Sequence, residues 1–308
     1  AADYNMPDQS SPAGSPTNRP SVANAWWRAL RPKTLLVSFS PVLVGTALAY
    51  AETGAWLPWI ALAALLAAML IQIGTNLHND VADFERGADT PDRLGPPRAT
   101  AMGWLPGRAV RRAAWAAFAA AFVLGVALVA HGGWPIVIIG LCSLAAGWAY
   151  TGGPKPIAYT PFGELFVLLF FGLCAVGGSY YLQTMSLSPA AVWVSLALGS
   201  FAAAVISVNN TRDLGTDARA GKRTLAVRLG RQAMNRVYAL ELLLPFALLP
   251  LVLPGTWALL PGPAAVLAFK LFRSFACTND GPGFNRLLAA TARLQAIYAA
   301  FLVIALLV

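Results

Sequence analysis

Charge is what this sequence has least of. Asp, Glu, Lys and Arg make up 11% of its 308 residues, against about a quarter in a soluble globular domain, and only 13 residues are acidic. With 57% hydrophobic residues and a mean hydropathy of +0.61, such a chain cannot present a solvated surface all round. This excludes a soluble enzyme or binding module and implies a polytopic membrane protein. Cysteine is scarce too. Cys142, Cys174 and Cys277 show no paired spacing, and Cys142 and Cys174 sit inside apolar runs as small filler. The two histidines, His78 and His131, have no ligand-like spacing. Residues 1–21 lack the apolar stretch of a signal peptide and are rich in Pro, Ser, Asn and Asp, so they read as a disordered tail. Residues 22–308 are then one integral-membrane domain. The net charge of +9 does not point to nucleic acid, because the basic residues are confined to loops on one side.

What is present is a series of nine apolar runs, each able to cross ~30 Å of hydrocarbon at ~1.5 Å per residue. They are Thr34–Ala51, Leu57–Thr75, Ala109–Ala130, Trp134–Tyr150, Phe162–Leu182, Ala190–Val208, Ala233–Leu253, Trp257–Phe275 and Leu287–Val308. All 22 Lys and Arg fall in the tail, in alternate connections or in the runs that flank those connections, and the opposite loops carry none. Because Lys and Arg resist translocation, that asymmetry puts the N-terminus and the charged connections on the cytoplasmic side. Tryptophans 26, 27, 56, 59 and 134 suit interfacial anchoring. The chain also repeats itself: Asn76 and Asp80 recur as Asn209 and Asp213, both 133 residues on. Four runs separate the two sites, an even number, so the halves are parallel pseudo-repeats. Both acidic stretches then lie at one depth, where they can face one cavity.

Those stretches carry the chemistry. Seven of the 13 acids lie within Asn76–Arg98 and Asn209–Gly230. On a helix, Asn76, Asp80 and Asp83 fall at roughly 0°, 40° and −20° around the axis, and Asn209, Asp213 and Asp217 at roughly 0°, 40° and 80°. Each set therefore shares a face. Carboxylates beside hydrocarbon are costly unless they meet a polar cavity or a cation. Clustered Asp and Asn oxygens suit Mg²⁺, which takes one or two carboxylates and fills its other positions with water and substrate phosphates. Arg86, Arg93, Arg98, Lys222 and Arg223 follow closely, and arginine grips phosphate bidentately. Metal and cations together imply a diphosphate, and the surrounding apolar runs imply that the rest of the ligand is lipid-like, as in a polyprenyl diphosphate. Glu85, Asp89 and Asp92 also read as ordinary loop salt bridges. Glu164 and Glu241 stay without a role.

The first stretch resembles the Asn-Asp-x-x-Asp motif of the UbiA-type membrane prenyltransferase superfamily, at Asn79, Asp80 and Asp83. The second resembles that superfamily's Asp-x-x-x-Asp motif, at Asp213 and Asp217. The segments Gly87–Arg98, Arg31–Thr34 and Gly221–Gly230 are similar to the branch that prenylates 1,4-dihydroxy-2-naphthoate in menaquinone synthesis. Gly87, where the wider superfamily often has a third acid, fits that branch, as does Asp89 two residues on. The resemblance implies an all-α fold of about nine transmembrane helices around a central cavity in the cytoplasmic membrane. It implies transfer of a polyprenyl group to 1,4-dihydroxy-2-naphthoate, with loss of CO₂ and diphosphate. It also implies Mg²⁺ held by Asp80, Asp83, Asp213 and Asp217 with help from Asn76 and Asn209, and a diphosphate met by Asn79, Arg93, Arg98, Lys155, Lys222 and Arg223. Tyr150, Tyr159 and Phe162 would face the allylic cation, and Arg31 and Lys33 the acceptor's carboxylate. Two other readings remain: a sibling enzyme using 4-hydroxybenzoate or homogentisate, and a secondary transporter. Acids at helix ends rather than at the midplane disfavour the transporter.

Overall fold

The computed structural model describes residues 19–89 and 93–308. Ser21 starts the first helix by accepting a hydrogen bond from the Asn24 amide, so α1 (Val22–Leu30) is amphipathic and short. Ala25 and Ala29 are its buried face, packed with Leu77, Val81 and Leu105. Arg19 is also tied down, donating to the Gly103 carbonyl at 2.7 Å. The tail expected through residue 21 is therefore ordered from Arg19 on, and its first eighteen residues lie outside the described ones.

Eight helices are long and apolar enough to cross a membrane, and one more is shorter. In chain order they are α2 (Pro32–Thr53), α3 (Pro58–Glu85), α4 (Gly107–Gly132), the short α5 (Trp134–Ala149), α6 (Gly163–Thr184), α7 (Pro189–Arg212), α9 (Leu225–Leu251), α10 (Gly255–Cys277) and α11 (Gly281–Leu307). A six-residue helix, α8 (Leu214–Arg219), lies between α7 and α9. All nine expected spans are therefore present, and the described residues contain no strand. At ~1.5 Å per residue, the 28 residues of α3 extend well past the hydrocarbon. The helix does not stop at Thr75, where the apolar run ends; it carries Asn76, Asp80 and Asp83 on its last turns.

α7 is the axle of the bundle. It is apolar on every side, which marks a helix surrounded by others, and 78% of its spanning stretch is buried. It packs on α2, α6, α9 and α11 through a surface of small residues, among them Ala197, Gly199, Ala202 and Ala203. The middle of α6, Leu168–Gly177, is wound as a wider π-helix. Trp56, Trp59 and Trp134 stand exposed at the end of the bundle away from Asp80, as the anchoring argument expects.

Candidate active site

One cavity of about 1040 Å³ runs into the bundle from the ends of α3 and α7. Its depth is apolar, formed by Val42, Ala64, Ala67, Leu128, Ile136 and Leu182. Phe122, Val126 and Leu141 line it and are also exposed, so it reaches the outside of the bundle beside α4 and α5. Its mouth is polar and holds Asn76, Asn79, Asp80, Asp83, Asn209, Asp213 and Asp217. The two acidic motifs thus meet, although one continuous helix carries the whole set only in the first half. α7 ends at Arg212, and Asp213 is the junction from which α8 presents Asp217.

The acids and bases at this mouth are already matched. Asp80 accepts from the backbone amides of Ala99 at 3.0 Å and Thr100 at 2.8 Å, which folds the connection back over the end of α3. Asp83 pairs with Arg98 at 2.5 Å, and the same guanidinium donates to the Asn79 carbonyl and lies 3.1 Å from Asp89. Asp89 also takes Arg93 at 2.7 Å. Asp89, two residues beyond Gly87, is therefore an anchor for two arginines. Burial pushes the Asp89 carboxyl upward against the pull of Arg98 and Arg93. Asp217 pairs with Lys222 at 3.0 Å, and Lys222 sits 4.8 Å over the ring of Tyr159. Burial alone would lower the Lys222 pKa, but Asp217 and then Asp83 outweigh it and raise it. Arg212 binds Asp213 at 2.6 Å, Asn209 at 2.8 Å and Asn285 at 2.7 Å. Asn285 in turn donates to the Leu94 carbonyl at 3.0 Å.

Arg31 is an exception. It lines the cavity, and among the described residues its guanidinium has no carboxylate or hydrogen-bond partner. Burial, then Arg98 and Arg93, pull its pKa down to about 9, against Asp80 and Asp83. Its backbone is left-handed, φ 53° and ψ 62°, a conformation that costs a non-glycine residue about 1–2 kcal/mol.

Not every expected residue comes to the cavity. Lys155, Arg223 and Phe162 are exposed and outside its lining. Lys155 is carried away by the turn through Gly152, Gly153 and Pro154, and Arg223 uses its backbone amide to bind the Tyr159 carbonyl at 2.9 Å. Lys33 lines the mouth and is exposed. Tyr150 and Tyr159 line the cavity, as do Phe166 and Phe170, a tilted pair with ring centroids 4.6 Å apart. Glu85 pairs with Arg111 on the surface, an ordinary salt bridge. Asp92 lies outside the described residues. Glu164 accepts from Asn210 at 2.9 Å, and Glu241 accepts from Ser207 at 2.9 Å inside the bundle. Sequence reasoning missed Arg212 and Asn285. Arg212 stands between Asn209 and Asp213, which is a usable signal; nothing marks Asn285, which meets the site only through the fold.

The residues fit a divalent cation of the Mg²⁺ type. Asp83 Oδ1 is buried without a hydrogen-bond partner, and oxygen is the only donor type in the set. Among the described residues no three acidic, His or Cys side chains converge to hold an ion by themselves. That suits a cation that takes few protein ligands and completes its shell with substrate phosphate.

Residues 38–282 match the UbiA prenyltransferase family. Over 225 residues the chain is 40% identical to 1,4-dihydroxy-2-naphthoate octaprenyltransferase of Escherichia coli, covering 71% of this chain and 73% of that one. Over 250 residues it is 37% identical to the Mycobacterium tuberculosis protein of the same name, covering 80% and 84%. The structure of a UbiA homolog from Aeropyrum pernix superposes with a TM-score of 0.68 at 14% identity, covering 88% of this chain and 97% of that one. A UbiA homolog from Archaeoglobus fulgidus bound to DMAPP and Mg²⁺ gives 0.65 at 16% identity, covering 92% and 99%. At such identities the two structures bear on the fold alone.

Proposed function

The chain belongs to the UbiA prenyltransferase family, and from that premise we propose that it transfers a polyprenyl group from a polyprenyl diphosphate to 1,4-dihydroxy-2-naphthoate, releasing diphosphate and CO₂. The observation that carries this reading is the single cavity, with two acidic motifs at a charged mouth and an apolar depth open beside α4 and α5. The diphosphate belongs at the mouth, the first isoprene units belong in the depth, and the remaining chain passes into the bilayer. The relatives named for this reaction support the choice of acceptor.

Asp80, Asp83, Asp213 and Asp217 would hold Mg²⁺, which when bound offsets the diphosphate charge and eases departure of the leaving group. Arg93, Arg98, Arg212 and Lys222 exchange their carboxylate partners for phosphate oxygens. The prenyl C–O bond breaks, and its electron pair leaves on the diphosphate. Phe166, Phe170, Tyr150 and Tyr159 present ring faces to the allylic cation. Arg31, which lines the cavity with its guanidinium unpaired among the described residues, takes the acceptor's carboxylate. The ring carbon bearing that carboxylate supplies the pair for the new C–C bond, and the neighbouring hydroxyl loses its proton to become a ketone. The resulting β-keto acid sheds CO₂. The electrons of the broken C–C bond restore the aromatic ring, and the ketone oxygen regains a proton.

Membranes carrying the protein would be given Mg²⁺, a prenyl diphosphate and 1,4-dihydroxy-2-naphthoate isotopically labelled in its carboxyl carbon. One labelled CO₂ per prenyl group transferred is expected. Label retained in the lipid product, or preferential prenylation of 4-hydroxybenzoate, overturns the acceptor assignment.

A further inference from the structure

Asn76 is the first residue of the repeated pattern, and the residue types alone make it a companion of the metal-binding acids. The hydrogen bonds point elsewhere. Its Nδ2 donates to the Leu30 carbonyl at 2.9 Å and to Thr34 Oγ1 at 3.1 Å. Leu30 O is acceptor only, so the amide must present its nitrogen there. The Asn76 oxygen accepts from Gln72 Nε2 at 3.1 Å, and Gln72 Oε1 lies 3.4 Å from Ser38 Oγ. Both donors are therefore committed to the elbow between α1 and α2, and the oxygen faces a donor on its own helix.

The two acceptors bracket Arg31. Leu30 O belongs to the peptide unit that precedes it. Thr34 Oγ1, held by Asn76, donates to the Arg31 carbonyl at 2.9 Å, which belongs to the peptide unit that follows. A residue's φ and ψ are set by the orientations of those two planes, so Asn76 fixes both, one directly and one through Thr34. The conformation so fixed is the left-handed one that sends the unpartnered Arg31 into the cavity. Asn209 at the equivalent position also holds an arginine, by a different route: its side-chain oxygen accepts from Arg212.

We propose that Asn76 is a positioning residue for the aromatic acceptor, locking the α1–α2 elbow so that Arg31 meets the acceptor's carboxylate. One turn farther along α3 stands Asp80, so one rigid helix sets the acceptor's anchor and a metal-binding acid in register. The proposal rests on the acceptor reading above.

Asn76→Asp separates the two roles. It keeps, and charges, the oxygen that a metal would use, and it removes both donors that the elbow uses. Full-length protein in detergent with Mg²⁺ should show at least a tenfold rise in KM for 1,4-dihydroxy-2-naphthoate. The KM for prenyl diphosphate and the half-saturating Mg²⁺ concentration should stay within twofold of wild type. Thr34→Val, which removes only the relay hydroxyl, should shift the same constant and serves if Asn76→Asp does not fold. Hydrogen exchange across residues 28–34 should quicken in either variant, whichever acceptor the enzyme takes. An unchanged acceptor KM with a shifted Mg²⁺ requirement would make Asn76 a metal ligand and overturn the proposal, as would unchanged exchange. Wild-type protein that ignores the naphthoate would overturn the acceptor reading instead, and the exchange measurement would still decide the elbow.

Discussion

At the scale of single residues, the cavity mouth is charge-matched in advance. Asp83 with Arg98, Asp89 with Arg93, Asp213 with Arg212 and Asp217 with Lys222 form close pairs. Leaving one member of such a buried pair alone is costly, so neither metal nor diphosphate gains fully by arriving without the other. On the proposed reading, the two together would let each carboxylate turn to the cation and each base to phosphate. Asp80→Asn tests this at the first motif. The amide oxygen can still accept from Ala99 or Thr100, so the fold is retained, while the charge offered to Mg²⁺ is lost. Asp213→Asn is the counterpart at the second motif. Each should lower kcat/KM by 100-fold or more, which is about 2.7 kcal/mol of transition-state stabilisation, and a chelator should abolish wild-type turnover until Mg²⁺ is restored. Steady-state rates within threefold of wild type for either variant would show that the two motifs do not act as one site.

At the scale of elements, packing decides what hydropathy alone misplaces. The apolar run ends at Thr75, but α3 continues to Glu85 because Asn, His and Asp weaken a helix without breaking it, and the first positive-φ glycine after it is Gly87. The carboxylates were legible from type and spacing. Their presentation in the second half was not, because the break falls at Asp213 itself and Gly215, two residues on, lies within α8. The turn that carries Lys155 outward was written in Gly152-Gly153-Pro154, and a reading that weighed charge over turn chemistry missed it. The contact of α6 with α7 was also hidden. A Cβ at Gly199 would lie 2.5 Å from the Leu168 carbonyl, and one at Gly172 would overlap the Ser195 carbonyl, so two glycines let these backbones touch. Gly199→Ala should therefore cost about 1–3 kcal/mol by overpacking and lower the melting temperature in detergent by roughly 5 °C. Gly125→Ala, with open space around it, should leave the melt unchanged or raise it. Equal effects from the two would mean that close approach of α6 and α7 is not what those glycines serve.

At the scale of the whole molecule, one asymmetry organises everything else. The loops that carry Lys and Arg belong to the end of the bundle where the cavity opens, and Trp56, Trp59 and Trp134 stand exposed at the far end. On the proposed reading the residues that meet phosphate would also orient the chain, because cations resist translocation and would hold that end on the cytoplasmic side. Orientation and chemistry are then coupled: a chain inserted the other way would present its site to the wrong compartment. Two thiol positions test this. Cys277 is exposed at the end of α10, next to the connection whose Gly281 packs on Leu94 near the cavity mouth. Ser186 is exposed in the loop between α6 and α7, at the opposite end. Cys142 lies within α5, in hydrocarbon that a charged reagent does not enter. A membrane-impermeant maleimide should label Cys277 in inverted vesicles and not in intact cells stripped of their outer layers. With Ser186→Cys, labelling should appear in the intact cells. The opposite pattern would reverse the orientation while leaving the fold and the cavity as described.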